Sequence, residues 1–158
     1  MDRTQLLEEI RSFLVEANEA GYAAGESAKI TKEADGSKTI VYERDDWRYH
    51  DNYFGGEPYG GREVVFFENK PVWMMVYYGW VAKGVPDPSA VYAPLQAALR
   101  AMPADHPFRG PEKHESGGFS YSNKWVGEVD RFEGEECICQ GEILVYQAGY
   151  MGGLVDQR

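Results

Sequence analysis

Cysteine is scarce: Cys137 and Cys139 are the whole thiol inventory of 158 residues. A C-x-C pair in a strand puts both side chains on one face about 7 Å apart, too far for a disulfide. Reduced, packed cysteines and a cytoplasmic setting are therefore expected. Positive charge is also short, with 16 Lys+Arg against 26 Asp+Glu and a formal net charge of -10. That balance argues against direct nucleic-acid binding, which needs a basic stripe to displace counterions, and against an anionic membrane surface. Long apolar runs are missing too. The longest, Pro71 to Ala82, falls short of the roughly 20 residues of a membrane span. Glu8, Glu9 and Arg11 interrupt the N-terminal apolar pattern, where a signal peptide would need an unbroken stretch.

Catalytic and metal motifs are absent as well. There is no G-x-S-x-G, and no cysteine stands at a helix N-terminus where its pKa would fall. His50, His106, His114, Asp51, Cys137 and Cys139 show none of the H-x-x-x-H, C-x-x-C or H-E-x-x-H spacings. No catalytic residue, metal or cofactor is assigned. A crowd of carboxylates (Asp45, Asp46, Asp51, Glu57 and Glu63) leaves acid–base chemistry open as a minority reading.

What the chain does have is a core and a period. Hydrophobic residues make up 43%, aromatics 14%, enough for one domain without staples. Leu6, Leu7, Ile10, Phe13, Leu14 and Ala17 make a helical stripe over residues 2–20, with Asp2 as cap and Gly21 as stop. From residue 28 the period is two. Ala28 to Ala34 and Lys38 to Glu43 flank an Asp35-Gly36 hairpin turn. Strands follow at 45–54, 63–68 and 71–81, the last apolar on both faces and so central. Gly55 to Gly61 reads as a wide turn, and Gly152-Gly153 likewise. A second helix, stripe Val91, Leu95, Ala98, Leu99 and Met102, has Asp87 as cap and Pro94 as a kink or start. Residues 103–118 read as an irregular loop. Strands at 119–126, 136–139 and 142–150 complete the chain. The expectation is α+β: a curved antiparallel sheet of about seven strands, with an N-terminal helix and a second helix between strands four and five.

Half of the aromatics lie between Trp47 and Trp80. On one face of the 45–54 strand, Trp47, Tyr49 and Tyr53 surround Asp51, a carboxylate that a hydrocarbon core has no use for. Arg109 is bracketed by Pro107 and Pro111, a stiff frame that suits either anion recognition or a buried ion pair with Asp51 or Glu63. The candidate ligand-binding set is Trp47, Tyr49, Asp51, Tyr53, Glu63 and Arg109.

Five blocks carry a resemblance: Tyr49-x-Asp51-x-Tyr53-Phe54-Gly55-Gly56; Gly61-x-Glu63-Val64-Val65; Pro71 to Gly79; Pro107-Phe108-Arg109-Gly110-Pro111; and Val145-Tyr146 with Gly152-Gly153-Leu154. Together they resemble a bacterial domain-of-unknown-function family found as small stand-alone proteins and C-terminal to XRE-type helix-turn-helix domains. Val76 departs from the polar residue usual before the family's two tyrosines. The resemblance implies a sensing or partner-binding role and no catalytic residue. The functional expectation is a non-enzymatic module that binds a small polar or anionic ligand, or a protein partner, at the aromatic face and Arg109. It should show a concave pocket between the sheet and the 103–118 loop. The alternatives are a small enzyme using Asp51 or Glu63 as general base with Arg109 stabilising an anion, and a homodimer whose interface consumes the aromatics.

Overall fold

The computed structural model describes residues 1–23 and 29–158. The element order is α1 (Arg3–Asn18), a π-helical turn (Glu19–Ala23), β1 (Thr31–Lys32), β2 (Lys38–Arg44), β3 (Trp47–Gly55), β4 (Tyr59–Phe67), β5 (Lys70–Val81), α2 (Ser89–Arg100), β6 (Lys113–Ser116), β7 (Phe119–Glu128), β8 (Arg131–Gln140) and β9 (Ile143–Leu154). The class is α+β and the sheet is antiparallel throughout. It has nine strands rather than seven, in the order β1-β2-β3-β4-β5-β9-β8-β7-β6, and it is not closed. The second helix accordingly falls between β5 and β6.

Local chemistry explains the helices. The Asp2 carboxylate accepts from the Gln5 amide and caps α1. Past its end the chain continues through Gly21 as a π-helical turn rather than stopping there. In α2, Asp87 Oδ1 accepts from both the amide and the hydroxyl of Ser89. Pro94 lies inside this helix, which runs through it to Arg100.

The two edges of the sheet come from regions where sequence periodicity is weak. Of the expected Ala28–Ala34 strand, Thr31 and Lys32 pair with β2, while Ala28 lies outside the described residues. Lys113–Ser116, inside the expected loop, pairs with β7 as the far edge. β8 starts at Arg131 rather than Glu136. Two glycine pairs expected in turns sit within strands. A Cβ on Gly61 would fall 2.5 Å from the Asn52 carbonyl and 2.7 Å from the Tyr77 hydroxyl, and one on Gly152 would fall 2.1 Å from the Met74 carbonyl. These glycines let neighbouring chain and rings cross the strand, which is a packing role.

β5 is the fifth of nine strands, central as its apolar faces require. One face of the sheet carries both helices. Ile10, Phe13, Leu14 and Ala17 of α1 pack with Trp47, Tyr49, Val65, Trp73, Met75 and Phe132. Val91, Leu95, Ala98 and Leu99 of α2 pack with Val81, Tyr121, Ile138 and Tyr146. Each Val, Leu, Ile, Phe or Met side chain among these, once taken from water, stabilises the fold by about 1.5–3 kcal/mol before entropy is counted. Asn18 Nδ2 ties the helices together through the Leu99 carbonyl (3.1 Å).

The sheet curls around this face. Arg109 bonds Glu136 on β8 and the Tyr59 hydroxyl on β4, and its charge acts on Asp51 of β3. In a flat sheet β3 and β8 would lie about 19 Å apart, beyond one side chain's reach. The helix-covered face is therefore concave. Among the described residues no helix is long and apolar enough to cross a membrane.

Candidate functional site

The alternation of β3 turns Trp47, Tyr49, Asp51 and Tyr53 onto the concave face. Opposite Asp51 in the ladder stands Glu63 of β4. Both are nearly buried, Asp51 at 4% and Glu63 at 8% exposure. Asp51 Oδ1 accepts a 2.6 Å hydrogen bond from the Tyr77 hydroxyl on β5, and Glu63 accepts one from Tyr49. Burial pushes the Asp51 carboxyl up to about 6, against the pull of the Tyr77 bond and the Arg109 charge. Glu63 is raised to about 8, first by burial and then by repulsion from Asp51, with Arg109 and Tyr49 acting the other way. Two facing carboxylates of this kind do not both ionise readily at neutral pH.

Arg109 does not form its main ion pair with either of them. Its Nε and Nη2 donate to Glu136 Oε1 at 3.0 and 2.5 Å, and Nη2 also reaches the Tyr59 hydroxyl at 3.2 Å. Tyr121 donates to Glu136 Oε2 at 2.5 Å and Tyr146 to Oε1 at 3.0 Å. Tyr59 and Tyr146 meet through a short hydroxyl–hydroxyl contact. Because Tyr146 spends its one proton on Glu136, Tyr59 is the donor there. Burial opposes the guanidinium charge, but the Glu136 carboxylate and nearby tyrosines more than offset it, so Arg109 stays protonated. Burial, then the Glu136 charge, pushes the Tyr121 and Tyr146 phenols well up, so both remain donors.

The stiff Pro107–Pro111 frame is pinned on either side of this pair. The Gly110 amide donates to the Tyr121 hydroxyl, and the Gly110 carbonyl accepts from Asn123 Nδ2 (3.0 and 2.8 Å). Phe108 stacks on Phe132 with ring centroids 3.8 Å apart. The arginine anchors its loop, as a buried pair would, with Glu136 in the place expected of Asp51 or Glu63.

A cavity of about 350 Å³ opens between the concave face and α2. Its walls include Asp51, Tyr53, Tyr59, Tyr77, Tyr92 and Arg109, and the exposed Gln96 of α2 stands among them. Of the 103–118 stretch only Arg109 contributes, so the roof is α2 rather than that loop. The candidate set divides accordingly. Asp51, Tyr53 and Arg109 line the cavity. Tyr49 and Glu63, with Asn18, Leu14 and Phe108, border a much smaller space of about 10 Å³ on the far side of Arg109. Trp47 is core, its ring 5.6 Å from Phe13 and 4.8 Å from Phe67. A larger groove of about 670 Å³ crosses the outer face over Gly134 and Gly149. It is shallow and has no convergent buried polar groups, so the smaller cavity is the better site.

Sequence reasoning missed Tyr59, Tyr77, Tyr92, Tyr146 and Glu136. Glu136 carried the same mark as Asp51: in β8 the inward row runs Phe132, Gly134, Glu136, Ile138, an acid within an apolar alternation. Among the described residues no group of His, Cys, Asp and Glu could hold a metal ion. Both cysteines are free, with Cys137 Sγ 3.0 Å from the Ser122 hydroxyl.

Fold and site thus define an open antiparallel sheet wrapped around two helices, with a tyrosine-lined cavity holding a buried carboxylate under the second. A family model described as Domain of unknown function (DUF5680) matches residues 51–155, the greater part of the chain. The chain belongs to that family. The match begins at Asp51 and takes in Glu63, Arg109 and Glu136, while α1 lies outside it. No curated protein and no solved structure matches the chain.

Proposed function

We propose that the protein is a small-molecule binding module whose ligand enters between α2 and the concave face. The observation that carries this reading is the cavity itself. It is of ligand-binding size and lined by apolar and aromatic groups around a nine-tenths-buried carboxylate, Asp51. The aromatic wall would stack on the ligand and Asp51 would orient it. Arg109 contributes shape more than charge, since Glu136 already takes its strongest hydrogen bonds.

The test is a thermal-shift screen of polar metabolites (sugars, polyols, amino acids, amines and carboxylates) on the wild type and on Gln96→Trp, which plugs the cavity from an exposed position. A true ligand at a hundred times its Kd adds about 2.7 kcal/mol, or roughly 5–10 °C for a chain of this size. It should raise the wild type and leave Gln96→Trp within a degree. A screen without hits, or hits that stabilise both proteins equally, would sink the reading.

A second reading rests on one specific observation. Asp51 is neither ion-paired nor exposed; it faces the cavity with its pKa brought close to neutrality. A carboxylate so placed suits a general base. Turnover by the wild type of any screening hit, lost in Asp51→Asn while binding persists, would favour the enzyme. Because the helices cover the concave aromatics, a homodimer would have to use the aromatics left exposed, Phe54, Tyr78 and Trp80.

A further inference from the structure

We propose that the ligand of this cavity is an organic cation, an ammonium group carried on a small apolar or aromatic body and seated against Asp51. The inference rests on the cavity being a ligand site and goes on to name the class of ligand.

The first argument is the charge inventory. The concave face buries three carboxylates, Asp51, Glu63 and Glu136, against one guanidinium. Arg109 and Glu136 satisfy each other, and Tyr121 and Tyr146 complete the Glu136 shell. Asp51 and Glu63 are left facing one another with a phenol each. The two hold a proton between them near neutral pH. Among the described residues neither is in an ion pair: Arg109 is spent on Glu136, and Lys38 at the cavity rim lies over the Tyr53 ring. An anion brought here would meet a guanidinium already engaged and the Asp51 carboxylate opposed to it. A neutral polyol could bond to Asp51 but would leave its charge without an ion-pair partner. A cation supplies one.

The second argument is the wall. Tyr59 lies between Tyr77 and Tyr92, with ring centroids 6.0 and 6.1 Å away, and Tyr53 completes an arc around Asp51. Electron-rich ring faces around a carboxylate are what an alkylammonium needs once it leaves water. Lys38 makes the same contact, its ammonium 5.7 Å over the Tyr53 ring. Ile40, Leu95 and Leu99 line the remainder, so the body of the ligand has an apolar place to lie.

Three probes of one shape separate the charges: benzylamine (cationic at pH 7.5), benzyl alcohol and benzoate, each titrated by calorimetry into wild type, Asp51→Asn and Gln96→Trp. Benzylammonium should bind at least about tenfold tighter than benzyl alcohol, and benzoate most weakly. Asp51→Asn should cost benzylammonium about tenfold or more and benzyl alcohol less than about threefold, which shows the cavity intact. Gln96→Trp should weaken both. Equal affinities, a preference for benzoate, a cation preference that survives Asp51→Asn, or no binding of any probe overturns the inference. The metabolite screen judges the cavity separately: sugars or carboxylates that stabilise the wild type and not Gln96→Trp would keep the binding module and discard the cation.

Discussion

Glu136 and Asp51 sit on the same concave face, almost equally buried, and differ in everything around them. Glu136 accepts from Arg109, Tyr121 and Tyr146, so both oxygens are filled and its charge is balanced. Asp51 has the Tyr77 hydroxyl, an opposing carboxylate and a cavity. A saturated buried pair holds structure, because every donor and acceptor is spent within the protein. An under-compensated one is held in place by its surroundings and keeps capacity for something else. The contrast separates a strut from a site within a single polar cluster.

The largest effect should come from breaking the strut. Glu136→Ala leaves Arg109 buried without its carboxylate, which should cost about 3–5 kcal/mol in urea unfolding. Replacing both partners, Arg109→Met with Glu136→Leu, should cost clearly less. If the double variant is worse than the single, the pair contributes more than mutual neutralisation.

The Asp51–Glu63 pair should show itself through pH, in the opposite sense to a stabilising salt bridge. Both native carboxyls titrate above their ordinary values, Asp51 near 6 and Glu63 near 8. Between about pH 4 and 8 the native state therefore holds more protons than the unfolded state, so stability falls as pH rises. Each tenfold change in acidity is worth about 1.4 kcal/mol, so Glu63 alone gives a loss on the order of 4–5 kcal/mol across that window. Glu63→Gln should flatten the slope and be more stable than wild type at pH 8, measured by denaturant midpoints at several pH values. A wild type that gains stability toward pH 8 would mean these carboxyls are ionised and well compensated, which would erase the contrast with Glu136.

How much of this was readable beforehand follows from the same physics. Asp51 stood out because a lone acid interrupts an aromatic alternation, and Arg109 because two prolines frame it. Glu136 hides in Glu133-Gly134-Glu135-Glu136, where alternate acids face water and only the strand's full length reveals which one turns inward. The helices were legible from their stripes and the cap at Asp2. The glycines misled, because sequence cannot tell a turn from a strand crossed closely by another chain or ring, as at Gly61 and Gly152. β6 escaped since a four-residue edge carries too few side chains to show a period, and β1 is shorter than the strand expected there. The aromatic surplus was a sound pointer to the region, but it served two purposes there. Trp47 and Tyr49 are packed beneath α1, and the site took Tyr59, Tyr77 and Tyr92 instead.

The junction between strut and site is Tyr59, and it gives the smallest expected effect with the finest resolution. Its hydroxyl accepts from Arg109 Nη2 and donates to Tyr146, while its ring lines the cavity. In Tyr59→Phe the ring remains, Arg109 keeps both bonds to Glu136, and Tyr146 still donates to the same carboxylate. Only secondary contacts are lost, so the cost should be about 1 kcal/mol, at the low end for a buried hydrogen-bonding group. The pH slope set by Asp51 and Glu63 should be nearly unchanged, because Tyr59 bonds to neither. Unfolding of Tyr59→Phe at pH 5 and pH 8 checks both statements together. A cost approaching that of Glu136→Ala, or a slope that collapses, would show that the phenol binds the two clusters into one network. Asp51 would then be part of the strut, with no capacity to spare for a ligand.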